Sequence, residues 1–498
     1  MAYLMGIDIG TSNVKILLIS SKGELVASKT ASYPLYSPNQ GWSEQNPADW
    51  WVSTKQALKS IINKSKIETS EIKGISLSGQ MHSLVILDKN KKVIRPAILW
   101  NDTRTTQQCQ EIYKKTGGLD NLIKLVSNPA LEGFTAPKLL WLRENEPDNY
   151  KKIRYVMLPK DYIRFKLTGE INSEVSDAAG TLLFDVNKKQ WSKKILNQLD
   201  ISINLLPKVL NSNQIAGYIT KRVQDFTGLK KGIPVVAGGA DNACGAVGSG
   251  IIKDGRVMVS IGTSGVVLAQ VDKTTPDQKG RIHLFNHAYP SKHYMMGVML
   301  SAAGSFNWLK DKVYQGNYSI KKLNELAEKS EPGSEGLIFL PYLNGERTPH
   351  ADSNARGVYF GLSNKHEINH LVRSTMEGVA FGLRDSFELI KEKNIKIEQI
   401  RVIGGGAKSN LWCQILADIF EKEISLINIE EGPAFGAALI AGVGVGVFEG
   451  FEEAEKRFIK ITKTFIPKSN NYGVYRHNYA TYRNLYQSLK EDFASHNK

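Results

Sequence analysis

Ile9-Gly10-Thr11-Ser12-Asn13-Val14 returns about 250 residues later as Ile261-Gly262-Thr263-Ser264-Gly265-Val266. Apolar runs flank each copy: Met5-Gly6-Ile7-Asp8 and Lys15-Ile16-Leu17-Leu18-Ile19 around the first, Val257-Met258-Val259-Ser260 and Val267-Leu268-Ala269 around the second. Each copy reads as strand, tight turn, strand. A repeat at that separation is a duplicated domain rather than a short-period array. A single copy would be an ordinary hairpin with a polar turn. Two copies could grip one polyphosphate, because a Gly-Thr-Ser turn offers backbone N–H groups and hydroxyls. Asp8, just before the first turn, could hold a hydrated Mg²⁺ beside those phosphates. The fold class expected is α/β, with two similar domains.

Between the copies lies Gly238-Gly239-Ala240-Asp241-Asn242-Ala243-Cys244-Gly245, following the strand-like Ile233-Pro234-Val235-Val236-Ala237. Glycines around a strand-to-helix turn let a ligand or other backbone come close. Asp241 there reads either as a helix N-cap or as a catalytic base.

Three other stretches are polar where packing alone would want apolar residues. The strand Ile75-Ser76-Leu77-Ser78 runs into Gly79-Gln80-Met81-His82-Ser83. Gln80 and His82 could bond ligand hydroxyls while Met81 packs on carbon; a satisfied core histidine is the other reading of His82. Ile98-Leu99-Trp100-Asn101-Asp102-Thr103-Arg104 joins a planar apolar surface to donors and acceptors, as a polyol site does. It reads equally as a helix N-cap at Asp102 or Thr103, with Arg104 as a salt-bridge partner. Glu174-Val175-Ser176-Asp177 is a polar loop in which Asp177 is either a cap or a substrate contact.

In the second half, Ile400-Arg401-Val402-Ile403-Gly404-Gly405-Gly406-Ala407-Lys408-Ser409-Asn410 reads as strand, triple glycine, helix. The glycines admit either a tight βα turn or a flat ligand such as adenosine. A Rossmann fingerprint is excluded, since the G-x-G-x-x-G spacing is absent. Ser43 to Trp51 reads as a capped helix start, the helix continuing to about Ile62; another helix is expected from Ile368 to about Ile390, and the small-residue run from Gly432 reads as close helix packing. The basic tail from Lys456 onward reads as a terminal helix.

Composition narrows the class. With 498 residues, 42% hydrophobic and 23% charged, the chain is globular and long enough for two domains. Mean hydropathy is -0.26, and neither a spanning segment nor a signal-peptide pattern is read. Three cysteines without metal-ligand spacing read as free thiols in a reducing compartment, so the cytoplasm is the expected location. The net charge of +15 reads as a solvated basic surface, and no nucleic-acid-binding motif accompanies it.

The paired hairpins, the Asp241 turn and the triple glycine resemble the FGGY carbohydrate kinases. So do two longer stretches, Gly133-Phe134-Thr135-Ala136-Pro137-Lys138-Leu139-Leu140-Trp141 and Gly357-Val358-Tyr359-Phe360-Gly361-Leu362 through to Glu377. The resemblance covers nearly the whole chain. It implies two ribonuclease H-like (actin-like ATPase) domains with an interdomain cleft, the sugar-binding one over 1–242 and the ATP-binding one over 243–498. Within the family, Leu77 to His82, Ile98 to Arg104, Asn128-Pro129-Ala130 and Leu158-Pro159-Lys160-Asp161-Tyr162 resemble the xylulokinases, which implies D-xylulose as acceptor. Ser83 stands where those kinases often carry Gly, and a Met-His-Ser triplet also occurs in the family's gluconate kinases.

By this resemblance Asp241 is the general base, with Asp8 catalytic beside it and near the metal. Gln80, Met81, His82, Trp100, Asp102, Arg104 and Asn242 would contact the sugar. Gly10, Thr11, Ser12, Lys15, Gly262, Thr263 and Ser264 would hold phosphates, and Gly405, Gly406 and Asn410 would line the adenosine pocket. ATP and Mg²⁺ are the implied cofactors. Sugar and ATP are the implied partners, without nucleic acid or membrane, in a homodimer. The alternatives are a kinase for another ketose, a polyol or gluconate, and a non-catalytic actin-like ATP-binding protein. A non-catalytic relative would be expected to lose Asp241 or the polar groups at 80–82 and 100–104, all of which are present.

Overall fold

The computed structural model describes residues 1–272 and 275–496. Its first sheet contains β1 (Tyr3–Ile9), β2 (Asn13–Ser20), β3 (Leu25–Ser32), β4 (Ile72–Gly79), β5 (Ile215–Tyr218) and β6 (Pro234–Ala240), in the order β5-β6-β4-β1-β2-β3. The pair β1/β2 is antiparallel, β1/β4 and β4/β6 are parallel, and β6/β5 is antiparallel again. A second sheet contains β7 (Arg256–Ile261), β8 (Gly265–Val271), β9 (His293–Met299), β10 (Gln399–Ile403), β11 (Ile424–Ile427) and β12 (Ile461–Phe465). These follow one another as β12-β11-β10-β7-β8-β9. Here too β7/β8 is antiparallel, β7/β10 and β10/β11 are parallel, and β11/β12 is antiparallel. The repeat seen in the sequence is therefore a repeat of topology: each copy is the tight turn between the first two strands of its sheet.

The helices that matter for the site are α1 (Pro47–Ser65), α2 (Thr135–Asn145), α3 (Pro159–Thr168), α4 (Asp241–Gly248), α5 (Ile368–Lys391), α6 (Asn410–Phe420), α7 (Gly432–Gly444) and α8 (Tyr472–His496). Asn46 caps α1, accepting from the Ala48 amide at 3.0 Å, and Pro47 takes a first-turn position that needs no N–H donor. Buried Met5, Ile7, Ile9, Val14 and Ile16 pack with Trp50, Leu58 and Ile61 of α1 as the first core.

Two compact units result. One is Met1–Ile252 with Asp272–Tyr294 and Glu431–Ile459; the other is Lys253–Val271, Met295–Glu430 and Lys460–Lys498. A single cut after residue 242 omits the return of the chain in α7, which packs on the first sheet. A Cβ on Gly6 of β1 would lie 1.9 Å from the Ala434 carbonyl oxygen. A Cβ on Gly436 would lie 1.8 Å from the Cys244 carbonyl oxygen of α4. Gly436 of α7 is thus explained by backbone contact, in keeping with the close helix packing expected from the sequence. Gly436→Ala is expected to destabilise the protein by roughly 1–3 kcal/mol, the usual cost of overpacking. Chemical denaturation measures it, and an unchanged midpoint would disprove this contact. The tail beyond Lys456 is a terminal helix only in part, since Ile461–Phe465 forms the edge strand β12.

Candidate active site

In the first unit, β6 ends at Ala240 and α4 begins at Asp241. The N-cap position belongs to Ala240 and no side chain caps the helix, so Asp241 is not spent as a cap. Gly238 has φ +80°, and a Cβ there would lie 1.9 Å from the Leu77 carbonyl oxygen, so only glycine fits this bend. The Asp241 carboxylate accepts from the Asn242 backbone N–H at 2.7 Å and from its Nδ2 at 3.0 Å. Asn242 Nδ2 also reaches Met81 Sδ at 3.8 Å, and the Tyr294 hydroxyl reaches the same sulfur at 3.8 Å. Asp241, Asn242, Met81 and Tyr294 therefore stand together.

Burial first, and the charge of Asp8 second, push the Asp241 carboxyl up to about 7. Burial also pushes Asp8 up to about 6, against the pull of Ser78 and Lys15. Asp8 Oδ1 is buried without a hydrogen-bond partner. Lys15, across the hairpin from Asp8, forms an ion pair with Glu431. Two carboxyls raised toward neutrality by burial, Asp241 also by the charge of Asp8, are what acid–base work needs.

The turn that presents Asp241 is held from behind by a buried ionic cluster. Arg164 of α3 donates to the Ala237 carbonyl at 2.6 Å and to Asp161 at 2.8 Å. The Ser176 hydroxyl accepts the Ala240 N–H at 2.9 Å and donates to Glu174 at 2.7 Å. Lys160 lies 2.8 Å from Asp161, 3.4 Å from Asp177 and 3.6 Å from Glu174. Glu174, not Asp177, caps the short helix Val175–Ala179. Asp177 sits fully buried beside Lys160, its carboxyl held well above the usual range by burial.

His82 is the one residue of the Gln-Met-His stretch with a left-handed backbone, at φ 66°. Its Nδ1 is 2.5 Å from the Gly180 carbonyl oxygen, and its ring packs on Phe134 with centroids 4.5 Å apart. The His82 carbonyl accepts from Thr135 at 2.9 Å and from fully buried Lys138 at 3.2 Å, both on α2. Burial depresses that lysine to about 7. Lys138 and Thr135 belong to a stretch the sequence flagged only by resemblance.

Several expected sugar contacts turn inward instead. Gln80 donates to Gly10 O at 3.3 Å and to Gln45 at 3.2 Å, and accepts from Ser83 at 3.1 Å. Its amide is committed to the protein. Ser83, the departure noted above, also accepts the Trp100 N–H at 3.0 Å, so it ties Gln80 to Trp100. The Trp100 indole donates to Thr11 Oγ1 at 2.9 Å. Asp102 and Arg104 have side chains 0% and 1% exposed and pair with each other. The salt-bridge reading of Arg104 is correct; the cap reading is not, because Thr105 precedes the next helix.

The two Gly-Thr-Ser turns, expected to hold phosphates, each close on a backbone hydrogen bond from their glycine. Gly10 N–H is bonded to Asn13 O at 3.0 Å, while Ser12 is exposed. In the second unit, Gly262 N–H bonds Ser264 O at 3.0 Å, Thr263 is exposed, and the Ala302 and Gly304 amides hold the Thr263 carbonyl. The triple glycine needs its first member at φ +88°, where a Cβ would lie 2.7 Å from Ile261 O. Gly405, Gly406 and Asn410 line a cavity of about 530 Å³, together with Phe306, Asn307 and Asn324, which the sequence did not single out. That volume suits a nucleoside.

The family model for the N-terminal domain of FGGY carbohydrate kinases matches residues 3–248, and that for the C-terminal domain matches 257–445. A xylulose kinase of Bacillus subtilis is 45% identical over 476 residues, covering 96% of this chain and 95% of its own. Among solved structures, ligand-bound xylulose kinase from Lactobacillus acidophilus aligns with TM-score 0.94 at 25% identity, covering 99% of this chain and 100% of that one. Gluconate kinase from the same organism aligns with TM-score 0.94 at 26% identity, covering 99% of each chain. With both halves matched and so similar a relative along nearly its whole length, the chain belongs to the FGGY family of carbohydrate kinases.

Proposed function

We propose that the protein transfers the γ-phosphoryl group of ATP to the terminal hydroxyl of D-xylulose, giving D-xylulose 5-phosphate. The carrying observation for the reaction is Asp241: a partly buried carboxyl near neutrality, free of any capping duty, beside Asn242 and Met81. The xylulose kinases at 45% identity carry the choice of sugar. Phosphoryl transfer asks for positioning and charge stabilisation more than for covalent chemistry. Asp241 takes the hydroxyl proton as that oxygen attacks phosphorus. Met81 and Asn242 give the sugar an apolar face and an amide, and His82 is the third contact. The first unit serves the sugar, and the second serves the nucleotide through the cavity at Gly405, Gly406 and Asn410.

The orphaned oxygen of Asp8 fits a hydrated Mg²⁺, which would neutralise phosphate charge; Asp8 is the residue we assign to it. Among the described residues no cluster of three metal-ligating side chains occurs, as suits an ion held mainly by water and phosphates. Among the described residues no helix is long and apolar enough to cross a membrane. Cys109, Cys244 and Cys413 are buried free thiols, and we place the protein in the cytoplasm on that chemistry.

A coupled ADP-release assay with Mg-ATP tests the reading against D-xylulose, D-ribulose, L-xylulose, gluconate, glycerol and arabinitol. The expected result is a clear preference for D-xylulose. Gluconate is the second reading, favoured by Met81-His82-Ser83 and the equal structural likeness to a gluconate kinase. Preference for gluconate would overturn the sugar and keep the base and nucleotide site. Nucleotide binding without turnover of any acceptor would overturn the kinase.

A further inference from the structure

A second site lies in the first unit, where four cations from four segments surround three aromatic rings. Lys55 of α1 lies 5.7 Å from the Trp51 ring centroid and 5.5 Å from that of Phe226. Lys166 of α3 lies 5.9 Å from Trp51, Arg222 lies 5.6 Å from Phe226, and Lys91 lies 5.7 Å from Phe165. Among the described residues, none of these four has a carboxylate within ion-pair distance. The nearest acid in sequence to Arg222, Asp225, is taken by Lys221 at 2.5 Å. Trp51, Phe165, Lys166, Arg222 and Phe226 line a cavity of about 260 Å³. None of them belongs to the candidate active site.

An ordinary solvated basic face spreads its charges apart. Here Lys166, Arg222 and Lys55 converge, at a cost: Lys166 is half-buried and held below the usual lysine range, by burial and then by the charges of Arg222 and Lys55. An anion would remove that repulsion, and the rings offer a flat apolar floor beside it. We propose that this cavity binds a small organic phosphate bearing a flat ring, the phosphate between Lys166 and Arg222 and the ring against Trp51 and Phe226. The phosphate accounts for the unbalanced charge, the ring for the aromatic lining, and the volume limits the ligand to about one ring.

Phenyl phosphate is the probe, titrated into the whole protein and followed by ³¹P line broadening. Saturable binding is expected, weakening with added salt because the charges are partly exposed. Arg222→Glu and Lys166→Glu are each expected to weaken it at least about tenfold, the scale of one lost charge-assisted bond. Kinase turnover and far-UV circular dichroism of both variants should match the parent. Binding unchanged in both variants would overturn the proposal. Equal affinity for inorganic phosphate would overturn the ring-bearing ligand, and no binding by the parent at millimolar probe would overturn the site.

Discussion

Asp241→Asn is expected to lower kcat by ~10²–10⁴, the contribution assigned to a general base, while ATP binding stays near that of the parent. Asparagine keeps the shape and the acceptor for the Asn242 N–H, so the lost proton acceptor is what the comparison isolates. The pH profile gives a second readout. A base pushed up to about 7 is ionised only above that pH, so kcat/KM should rise through about 7 and level off. Because the charge of Asp8 raises Asp241, Asp8→Asn should move that limb toward acid. The sign for stability is opposite. Between the ordinary carboxyl value of 3.8 and about 7, the folded state binds more protons at Asp241 than the unfolded state does. Stability contributed there falls as pH rises across that window. At pH values above it, Asp241→Asn removes an unfavourable buried charge, so the variant should melt no lower than the parent. Turnover within a few-fold of the parent, with the same pH limb, would remove Asp241 from the mechanism.

The duplication was legible because a strand, a Gly-Thr-Ser turn and another strand are a local pattern, and local patterns survive in a sequence. The matching strand pairings of the two sheets follow from it. The choice between base and cap at Asp241 was not legible. It turns on whether Ala240 or Asp241 holds the cap position, a shift of one residue. Nor was the return of the chain through α7, whose glycines reveal close packing but not the partner. The inward turn of Gln80, Asp102 and Arg104 was hidden for a different reason. The same polar residues suit a sugar and an internal network, and their partners Gln45, Ser43 and Glu44 lie far away in sequence. The Lys160–Arg164–Glu174 cluster was likewise invisible, since only the fold brings its members behind the Asp241 turn.

Asp102→Ala tests that inward reading and carries the largest stability effect expected. The Asp102 carboxylate accepts from the Ser43 N–H at 2.6 Å, and from Arg104 at its backbone N–H, Nε and Nη2, at 3.0, 2.9 and 2.6 Å. The guanidinium is packed on Trp42 at 3.6 Å and on Trp141 at 4.9 Å, so it cannot swing out to water. Its remaining acid, Glu44 at 2.8 Å, also pairs with Arg95. Removing Asp102 thus strands a buried cation on a shared carboxylate, at a cost of about 3–5 kcal/mol. Asp102→Asn should cost less, since its amide oxygen can keep one of these bonds. Replacing both partners, as Asp102→Leu with Arg104→Met, should cost less than Asp102→Ala, because no charge is left behind. Denaturation midpoints rank the three, and steady-state kinetics below the melting range supply the contrast. If Asp102 and Arg104 are structural, the surviving Asp102→Asn enzyme keeps its KM for sugar within a few-fold. A KM raised at least about tenfold with an unchanged midpoint is the signature of a lost substrate contact, and would return both residues to the sugar site.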